Sequence, residues 1–159
     1  MLKKVYIETS IVSYLTAYPS RDLVIAAHQQ ISRDWWQSVP GRFELYVSQF
    51  VLDEISKGDP GVARKRLDLV KAVPLLEIRE EVWRLAADMV ASRIIPRKAG
   101  TDAAHIALAA VHGMDFLVTW NCRHIANAVI ARAIERVCGA QGFQCPVICT
   151  PEELVGGIP

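Results

Sequence analysis

The sequence predicts an α/β protein, folded as a three-layer α/β/α sandwich with a central, mostly parallel sheet. Two observations indicate this class. Short apolar runs of strand length recur along the chain, and they alternate with longer segments whose apolar residues recur every three or four positions, as in amphipathic helices. The 159 residues contain no internal repeat and no linker-like stretch, so we expect a single domain spanning residues 1–159.

Composition and charge narrow the classes of function. The hydrophobic fraction of 52% and the charged fraction of 22% are typical of a globular protein, and no apolar run approaches the ~20 residues of a membrane span. The segment after Met1–Lys4 is too short and too soon acidic for a signal peptide. We therefore expect a cytoplasmic protein without membrane association. Because the formal net charge is only +1, any nucleic-acid binding must depend on local basic clusters.

The four cysteines lie in the last quarter of the chain, at Cys122, Cys138, Cys145 and Cys149. None of them forms a close CxxC pair, so the sequence gives little support to a zinc site. In a cytosolic protein, free or buried thiols are the favoured interpretation over a disulfide framework.

The first third of the chain predicts two strands and two helices. The first strand is the apolar part of 5–10 and ends at Glu8. A short helix follows, with Thr9 or Ser10 as its N-cap, and ends before Pro19-Ser20. A longer helix runs from about Asp22 to Val39, and Phe43–Val47 forms the second strand. The apolar stripe of the longer helix comprises Val24, Ala27, Ile31 and Trp35.

The middle of the chain continues the alternation. Ser48 caps a helix that extends to about Lys57, and the turn 58–61 leads into a basic helix. The third strand is 75–78, and a helix with close to ideal apolar spacing covers 80–92.

The last third begins with a loop at 94–100. Thr101 is expected to cap a strongly apolar helix from Asp102 to about His112, which Gly113 ends. The strand 116–119 follows. The remaining elements are a helix from about His124 to Gly139 with Val129 inward, a strand at 146–149 and a final turn at 150–154.

Three polar residues from distant parts of the chain are predicted to meet at one edge of the sheet. Glu8 ends the first strand, and Asn121 lies just past the strand 116–119. Asp102 opens the helix before that strand, and helices of right-handed crossovers run antiparallel to the strands. All three residues therefore approach the carboxyl edge, where α/β folds bind their ligands.

A fourth polar residue follows from helical phase. At ~100° per residue, Glu54 falls on the inward arc of its helix, whereas Asp53 points to the opposite side. Asp102 also shares an arc with apolar residues. A carboxylate on an apolar face is costly unless it is paired or bound to metal. Singly, each acid could equally be a site residue or a helix cap or surface ion-pair member, but the agreement of all four with one topology favours a site.

Gathered carboxylates predict a divalent cation. Like charges raise at least one carboxyl pKa, and Mg²⁺ or Mn²⁺ relieves this repulsion by accepting oxygen ligands. Such an ion can activate a water molecule and orient a phosphodiester for attack. Basic residues that could hold a nucleic-acid backbone lie close in sequence to the acids, at Arg93, Arg97, Lys98 and Arg123.

These residues resemble the PIN domain, and the similarity is greatest to the VapC-type toxins of toxin–antitoxin pairs. The matching motifs are 5–10 (VYIETS), the inward Glu54, 101–109 (TDAAHIALA) and 116–121 (FLVTWN), in the expected order. The resemblance implies an α/β/α sandwich and a Mg²⁺- or Mn²⁺-dependent endoribonuclease that cleaves RNA. It also implies frequent homodimers and inhibition by a cognate antitoxin protein.

By position, the resemblance makes Glu8, Glu54, Asp102 and Asn121 the catalytic and metal-binding residues, supported by Thr9 or Ser10. Two positions depart from the usual pattern of the family. Glu8 is one methylene longer than the aspartate most often found there, and Asn121 is neutral where aspartate is common. The alternative function is therefore a PIN-like protein-binding module with weakened or lost nuclease activity.

Other residues keep two interpretations each. His105 is either a proton shuttle or phosphate partner, or a residue at the margin of the buried helix face. His124 either contacts a substrate phosphate or caps a helix, and Trp120 either stacks on a base or packs beside the strand end. Trp35-Trp36 is more typical of a core than of base stacking, and the basic run 64–66 is more typical of a solvated face. A phosphotransfer domain ranks last, because Glu8 replaces the nucleophilic aspartate that it requires.

Overall fold

The computed structural model describes residues 1–156, so the last three residues of the predicted domain, 157–159, lie outside the described part. The strands are β1 (Lys3–Ile7), β2 (Phe43–Ser48), β3 (Leu75–Leu76), β4 (Phe116–Val118) and β5 (Val147–Cys149). The helices are α1 (Thr9–Thr16), α2 (Leu23–Ser38), α3 (Gln49–Ile55), α4 (Pro60–Val70), α5 (Glu80–Ala91), α6 (Gly100–Val111), α7 (Ala131–Ala140) and α8 (Pro151–Val155). A 3₁₀ turn, Arg97–Ala99, leads into α6.

The five strands of this part form one parallel sheet in the order β3-β2-β1-β4-β5. Val5 of β1 is in register with Leu45 of β2 on one side and with Phe116 of β4 on the other. The order reverses between β1 and β4, which makes the carboxyl ends of these two strands a topological switch point. The predicted α/β sandwich with a parallel sheet flanked by helices is confirmed.

β1 lies in the middle of the sheet, where its apolar residues are covered on both faces. Val5, Tyr6 and Ile7 are fully buried, as expected for an inner strand of a parallel sheet. α2 packs against α8, and α5 packs against both α6 and α7. Trp35 of α2 is fully buried and Trp36 is partly buried, so this pair belongs to the core, as the sequence favoured.

The predicted helix from His124 to Gly139 is wrong in its first half, because α7 begins only at Ala131. Two asparagine side chains hold the preceding segment in turns. Asn121 Oδ1 accepts the N–H of His124, and Asn127 Oδ1 accepts the N–H of Val129. Such local bonds compete with helical ones. Val129, expected to face inward, is 91% exposed.

The predicted apolar stripe of α2 is also partly wrong. Val24 and Ala27 are exposed, whereas the polar residues Gln29 and Ser32 are buried. Gln29 is tolerated inside because its amide donates to Tyr18 O and accepts from Ser20 N, which fixes the chain that enters α2.

Two predicted helix caps are corrected. The N-cap of α1 is Glu8, whose side chain accepts the N–H of Ser10, so neither Thr9 nor Ser10 has this role. α6 begins at Gly100, because the 3₁₀ turn before it continues directly into the helix, and Thr101 lies inside the first turn without capping it. The other predicted elements occur where expected, with slightly different ends.

Two further features of the described residues concern the helices and the cysteines. Within 1–156, no helix is both long enough and apolar enough to cross a membrane. All four cysteines are free thiols, as the sequence favoured.

The central packing predicts a strong effect of truncating β4. Leu117 is fully buried, so Leu117→Ala should lower the free energy of unfolding by about 2–5 kcal/mol, through lost burial and the cavity that remains. Leu75 in β3 is 53% exposed, and Leu75→Ala should cost less than about 1 kcal/mol. Urea denaturation of both variants measures the difference, and equal losses would contradict the central position of β4.

Candidate active site

The site lies at the switch point, where the carboxyl ends of β1 and β4 adjoin. Glu8 follows β1 directly, and Asn121 lies three residues beyond the end of β4. Glu54 comes from α3, the helix after β2, and Asp102 lies in the first turn of α6. The structure thus brings the four residues that the sequence singled out to the same edge of the sheet.

Glu8 is 5% exposed and is held by three donors at one oxygen atom. Its Oε1 accepts the N–H of Ser10 at 3.1 Å, the Ser10 hydroxyl, and the Thr119 hydroxyl at 2.6 Å. Within 1–156, its Oε2 accepts no hydrogen bond. The carboxylate is therefore fixed through one oxygen, and the other oxygen is left for a ligand.

Glu54 repeats this arrangement. Its Oε1 accepts the hydroxyl of Thr9 at 2.8 Å and is 2.6 Å from Nε2 of His105, whereas its Oε2 has no partner among the described residues. Its side chain is 30% exposed. Burial alone raises the pKa of Glu54, but the hydrogen bond and charge of His105 and the bond from Thr9 outweigh it, so the pKa is lowered. Asp53 points away and bonds Gln49, as predicted.

His105 is fully buried and connects Glu54 to the core. Its Nδ1 lies 2.7 Å from the Tyr6 hydroxyl, which lies 2.7 Å from the Ser48 hydroxyl. An ionised carboxylate can only accept, so Nε2 of His105 donates to Glu54. When the imidazole is neutral, Nδ1 accepts from the Tyr6 hydroxyl. Ser48 then donates to Tyr6. Burial raises the pKa of Tyr6, which keeps its hydroxyl protonated.

Sequence reasoning missed three members of these networks, Tyr6, Ser48 and Thr119. A signal was present for Tyr6, because a tyrosine in a fully buried strand needs a partner for its hydroxyl. Ser48 and Thr119 directly follow apolar strand residues at the same edge. His105 was considered, and its two ring nitrogens are both occupied by protein groups, which favours its interpretation as a buried residue over a proton shuttle.

Among the three acids of the site, Asp102 is the one whose negative charge is least offset by its neighbours. Burial raises its pKa and the charge of Glu54 adds to the increase, while the neighbouring Asn121 side chain and the two histidines, His105 and His124, oppose it. The net pKa is raised. Because Asn121 Oδ1 accepts the N–H of His124, the donors of the Asn121 amide are the groups available to Asp102.

The site as a whole carries excess negative charge. Glu8, Glu54 and Asp102 form no salt bridge with lysine or arginine in the described chain. Glu54 is paired with His105, and the charge of Lys57 also lowers the pKa of Glu54, as the smallest of the contributions. Among 1–156, no three His, Cys, Asp or Glu residues form a group that could hold a metal ion. Mg²⁺ is commonly bound by one or two carboxylates and several waters, and the free Oε2 atoms of Glu8 and Glu54 match this donor set.

The remaining candidates have definite positions. Thr9 and Ser10 bind Glu54 and Glu8, as the resemblance implied for supporting residues. Arg123 is exposed beside Asn121. Trp120 stacks on His28 at 4.0 Å between ring centres and donates its Nε1–H to Ser32, so it packs against α2.

A comparison of the sequence with models of known protein families finds no match, and neither does a comparison with curated proteins.

The charge of the site predicts that removing Asp102 stabilises the protein. Asp102→Asn should raise Tm by about 1–3 °C at pH 7 in metal-free buffer, because the folded state then no longer holds a half-buried charge next to Glu54. A raised folded pKa costs stability only where the group is ionised. The gain should therefore shrink as pH falls through the raised folded pKa of Asp102 and should be absent below the ordinary value of 3.8. Calorimetry across this range measures it, and a lower Tm at pH 7 would contradict the charge assignment.

The buried chain of hydroxyls predicts a cost for losing one link. Tyr6→Phe should destabilise the protein by about 1–3 kcal/mol, because Ser48 and His105 lose a buried partner. Tyr14→Phe is the control, since the Tyr14 hydroxyl makes no hydrogen bond within 1–156. A double-mutant cycle compares the free energy of unfolding lost by Ser48→Ala in the wild type and in the Tyr6→Phe background. Equal losses would mean that the two hydroxyls are not coupled and that this network is wrong.

Proposed function

We propose that this protein is an endoribonuclease that depends on Mg²⁺ or Mn²⁺ and hydrolyses RNA phosphodiester bonds. The observation that carries the proposal is the approach of Glu54 and Asp102, whose charges interact, to the sheet edge that also holds Glu8, with no salt bridge from lysine or arginine to any of the three in the described residues. Negative charge gathered in this way favours a cation, and shifted carboxyl pKa values are enriched at functional sites.

The residues fit a hard divalent ion. Glu8 and Glu54 each offer a free Oε2, and Asp102 offers a carboxylate whose charge is not otherwise satisfied. When bound, such an ion supplies a water activated for attack on phosphorus and neutralises charge on the phosphate. Asn121 acts through Asp102, since its carbonyl oxygen is used by His124 and its amide can donate to the carboxylate.

The surrounding groups position the acids. Ser10 and Thr119 fix Glu8, and Thr9 and His105 fix Glu54. Each acid is held at Oε1, so its free Oε2 points in a defined direction before any ligand arrives. Pre-positioned groups lower the cost of reaching the productive geometry. His105 is a positioning residue, because it is fully buried and reaches the site through Glu54.

The resemblance to PIN domains of the VapC type supports RNA hydrolysis and also implies protein partners. On that basis, the protein is the toxin of a toxin–antitoxin pair, acts as a homodimer and is inhibited by a cognate antitoxin protein. Arg123, exposed next to Asn121, is available to contact the RNA backbone. The hydrogen bonds of Glu8 support its use where the family most often has aspartate, because Ser10 N–H and the Thr119 hydroxyl fix the carboxylate of the longer side chain.

A protein-binding module with weakened nuclease activity is the second candidate. It is favoured by the neutral side chain of Asn121, whose carbonyl oxygen already accepts the N–H of His124. Titration calorimetry with Mn²⁺ separates the two functions. Binding that Glu54→Gln abolishes supports the nuclease, and a folded wild-type protein that binds no Mn²⁺ supports the module.

The nuclease proposal predicts cleavage of an RNA panel in Mg²⁺ or Mn²⁺ and none in EDTA. Glu54→Gln and Asp102→Asn should each lower the cleavage rate by about 100-fold or more, because each removes a carboxylate from the site. The matched control is Asp53→Asn, which removes one charge from the same helix on its exposed side. This variant should cleave within about twofold of the wild type.

Gel analysis of end-labelled RNA measures these rates. Cleavage that persists in EDTA, or that is equal in Glu54→Gln and Asp53→Asn, would mean that the four predicted residues do not form the reaction site.

A further inference from the structure

Two of the four thiols, Cys138 and Cys145, lie together where α7 ends and the chain turns toward β5. The side chain of Cys138 is fully buried, and that of Cys145 is partly buried against the same core. A hydrogen bond between the two thiols is the largest influence on the pKa of each. The other two cysteines differ, because Cys122 is exposed and Cys149 is buried in β5. The chain therefore contains one dithiol pair, which takes no part in the networks that hold the acids.

A helix-ending motif brings the two thiols together. The N–H of Phe143 donates to Cys138 O at 3.0 Å, and the N–H of Gly142 donates to Gly139 O at 3.0 Å. These are the two bonds of a Schellman motif, and Gly142 supplies its left-handed residue with φ 84°. The motif reverses the chain, so Cys145 comes back beside the last turn of α7. The proximity of the two thiols therefore follows from the backbone.

A cavity of about 410 Å³ gives small molecules access to one thiol of the pair. Cys145 lines this cavity, together with residues of α7 and of β5. Cys138 is fully buried and is not among the lining residues. An oxidant that is small enough to enter the cavity therefore meets Cys145 first, and Cys138 lies behind it as the second thiol.

The hydrogen bond between the thiols favours the loss of one proton from the pair. It lowers the pKa of Cys138, whereas the same bond and burial raise the pKa of Cys145, so one proton is retained between the two sulfurs. The charge of Glu135 raises both pKa values and limits the reactivity of the pair. Burial raises the pKa of Cys149 to about 12, which keeps this thiol protonated. Because the thiolate is the reactive form of cysteine, Cys138 and Cys145 are better suited to react than Cys149.

We propose that Cys138 and Cys145 form a reversible disulfide when the protein meets a hydroperoxide such as hydrogen peroxide. The Cys145 sulfur attacks one peroxide oxygen while its proton passes to the Cys138 thiolate. The O–O bond breaks, and the hydroxide that leaves takes up the proton released when the pair ionised. The Cys138 sulfur then attacks the sulfenic acid of Cys145, the S–O bond breaks, and the second hydroxide takes the Cys138 proton. Two thiols are oxidised to one disulfide, and one peroxide is reduced to two water molecules.

The disulfide would tie the end of α7 to the start of β5. β5 pairs with β4, and Cys149 O accepts the N–H of Thr119 at 3.0 Å. Thr119 is one of the residues that fix Glu8. Oxidation therefore restrains a strand that supports the acidic edge, although none of the acids takes part in it. The proposal is independent of the nuclease function for the same reason.

The test treats the full chain with hydrogen peroxide, blocks the remaining thiols with N-ethylmaleimide in urea, and maps disulfides by mass spectrometry. Trypsin and chymotrypsin cut after Arg136 and Phe143, which separates the two cysteines of the pair. The expected product is the peptide 137–143 joined to the peptide that follows it, and dithiothreitol should separate the two. Fragment ions of the joined peptides should place the bridge at Cys145 and not at Cys149.

Two variants accompany the wild type. Cys145→Ala should lose the link, because it removes the thiol that meets the oxidant. Its matched control, Cys122→Ser, removes the exposed thiol and should form the disulfide at the wild-type rate. Far-ultraviolet circular dichroism checks that both variants are folded.

A glutathione redox buffer measures whether the fold itself favours the disulfide. The equilibrium constant for its formation should be at least about tenfold larger in the folded protein than in urea, because a disulfide that fits the native geometry is stabilised there. An equal constant in urea would overturn the proposal. A disulfide that includes Cys122 or Cys149 in place of this pair, or Cys138 recovered as a free thiol after peroxide treatment, would also overturn it.

Discussion

The hydrogen bonds of Glu8 are the constraint on which the site depends. One buried oxygen atom accepts from Ser10 at the start of α1 and from Thr119 after β4. Thr119 in turn accepts the N–H of Asn121, and Ser10 accepts the N–H of Trp120. The two strand ends at the switch point are therefore fixed to each other through a single carboxylate. Charge-assisted bonds of this kind are stronger than neutral ones, and they set the position of everything that follows both strands.

A second hydrogen-bond network fixes Glu54, as the first fixes Glu8. Ser48, Tyr6 and His105 link three elements, β2, β1 and α6, and His105 in turn binds Glu54. Each group is buried and paired, so a shift of one requires a shift of the others. The acids are thus presented from a rigid interior.

The sequence predicted the sheet, its parallel direction and the edge at which the acids meet, because apolar periodicity and strand direction are sufficient for these. It also predicted the inward side of Glu54. It did not predict that Glu8 itself caps α1, because serine and threonine are commoner N-caps than glutamate and both follow Glu8 directly. The start of α7 was missed because two asparagines form turns inside an apolar pattern that resembles a helix. The partners of Glu8 and His105 depend on contacts between residues about 100 positions apart, which no local pattern encodes.

The central position of β1 has a consequence for how the chain folds. β1 is synthesised long before β4, since 111 residues separate Glu8 from Thr119. Until residues 116–118 emerge from the ribosome, the edge of β1 that pairs with β4 has no strand beside it. Sheets that depend on such distant pairing fold slowly and expose unpaired edges in the meantime. The same connection therefore delays the assembly of the acidic edge until most of the chain has been made.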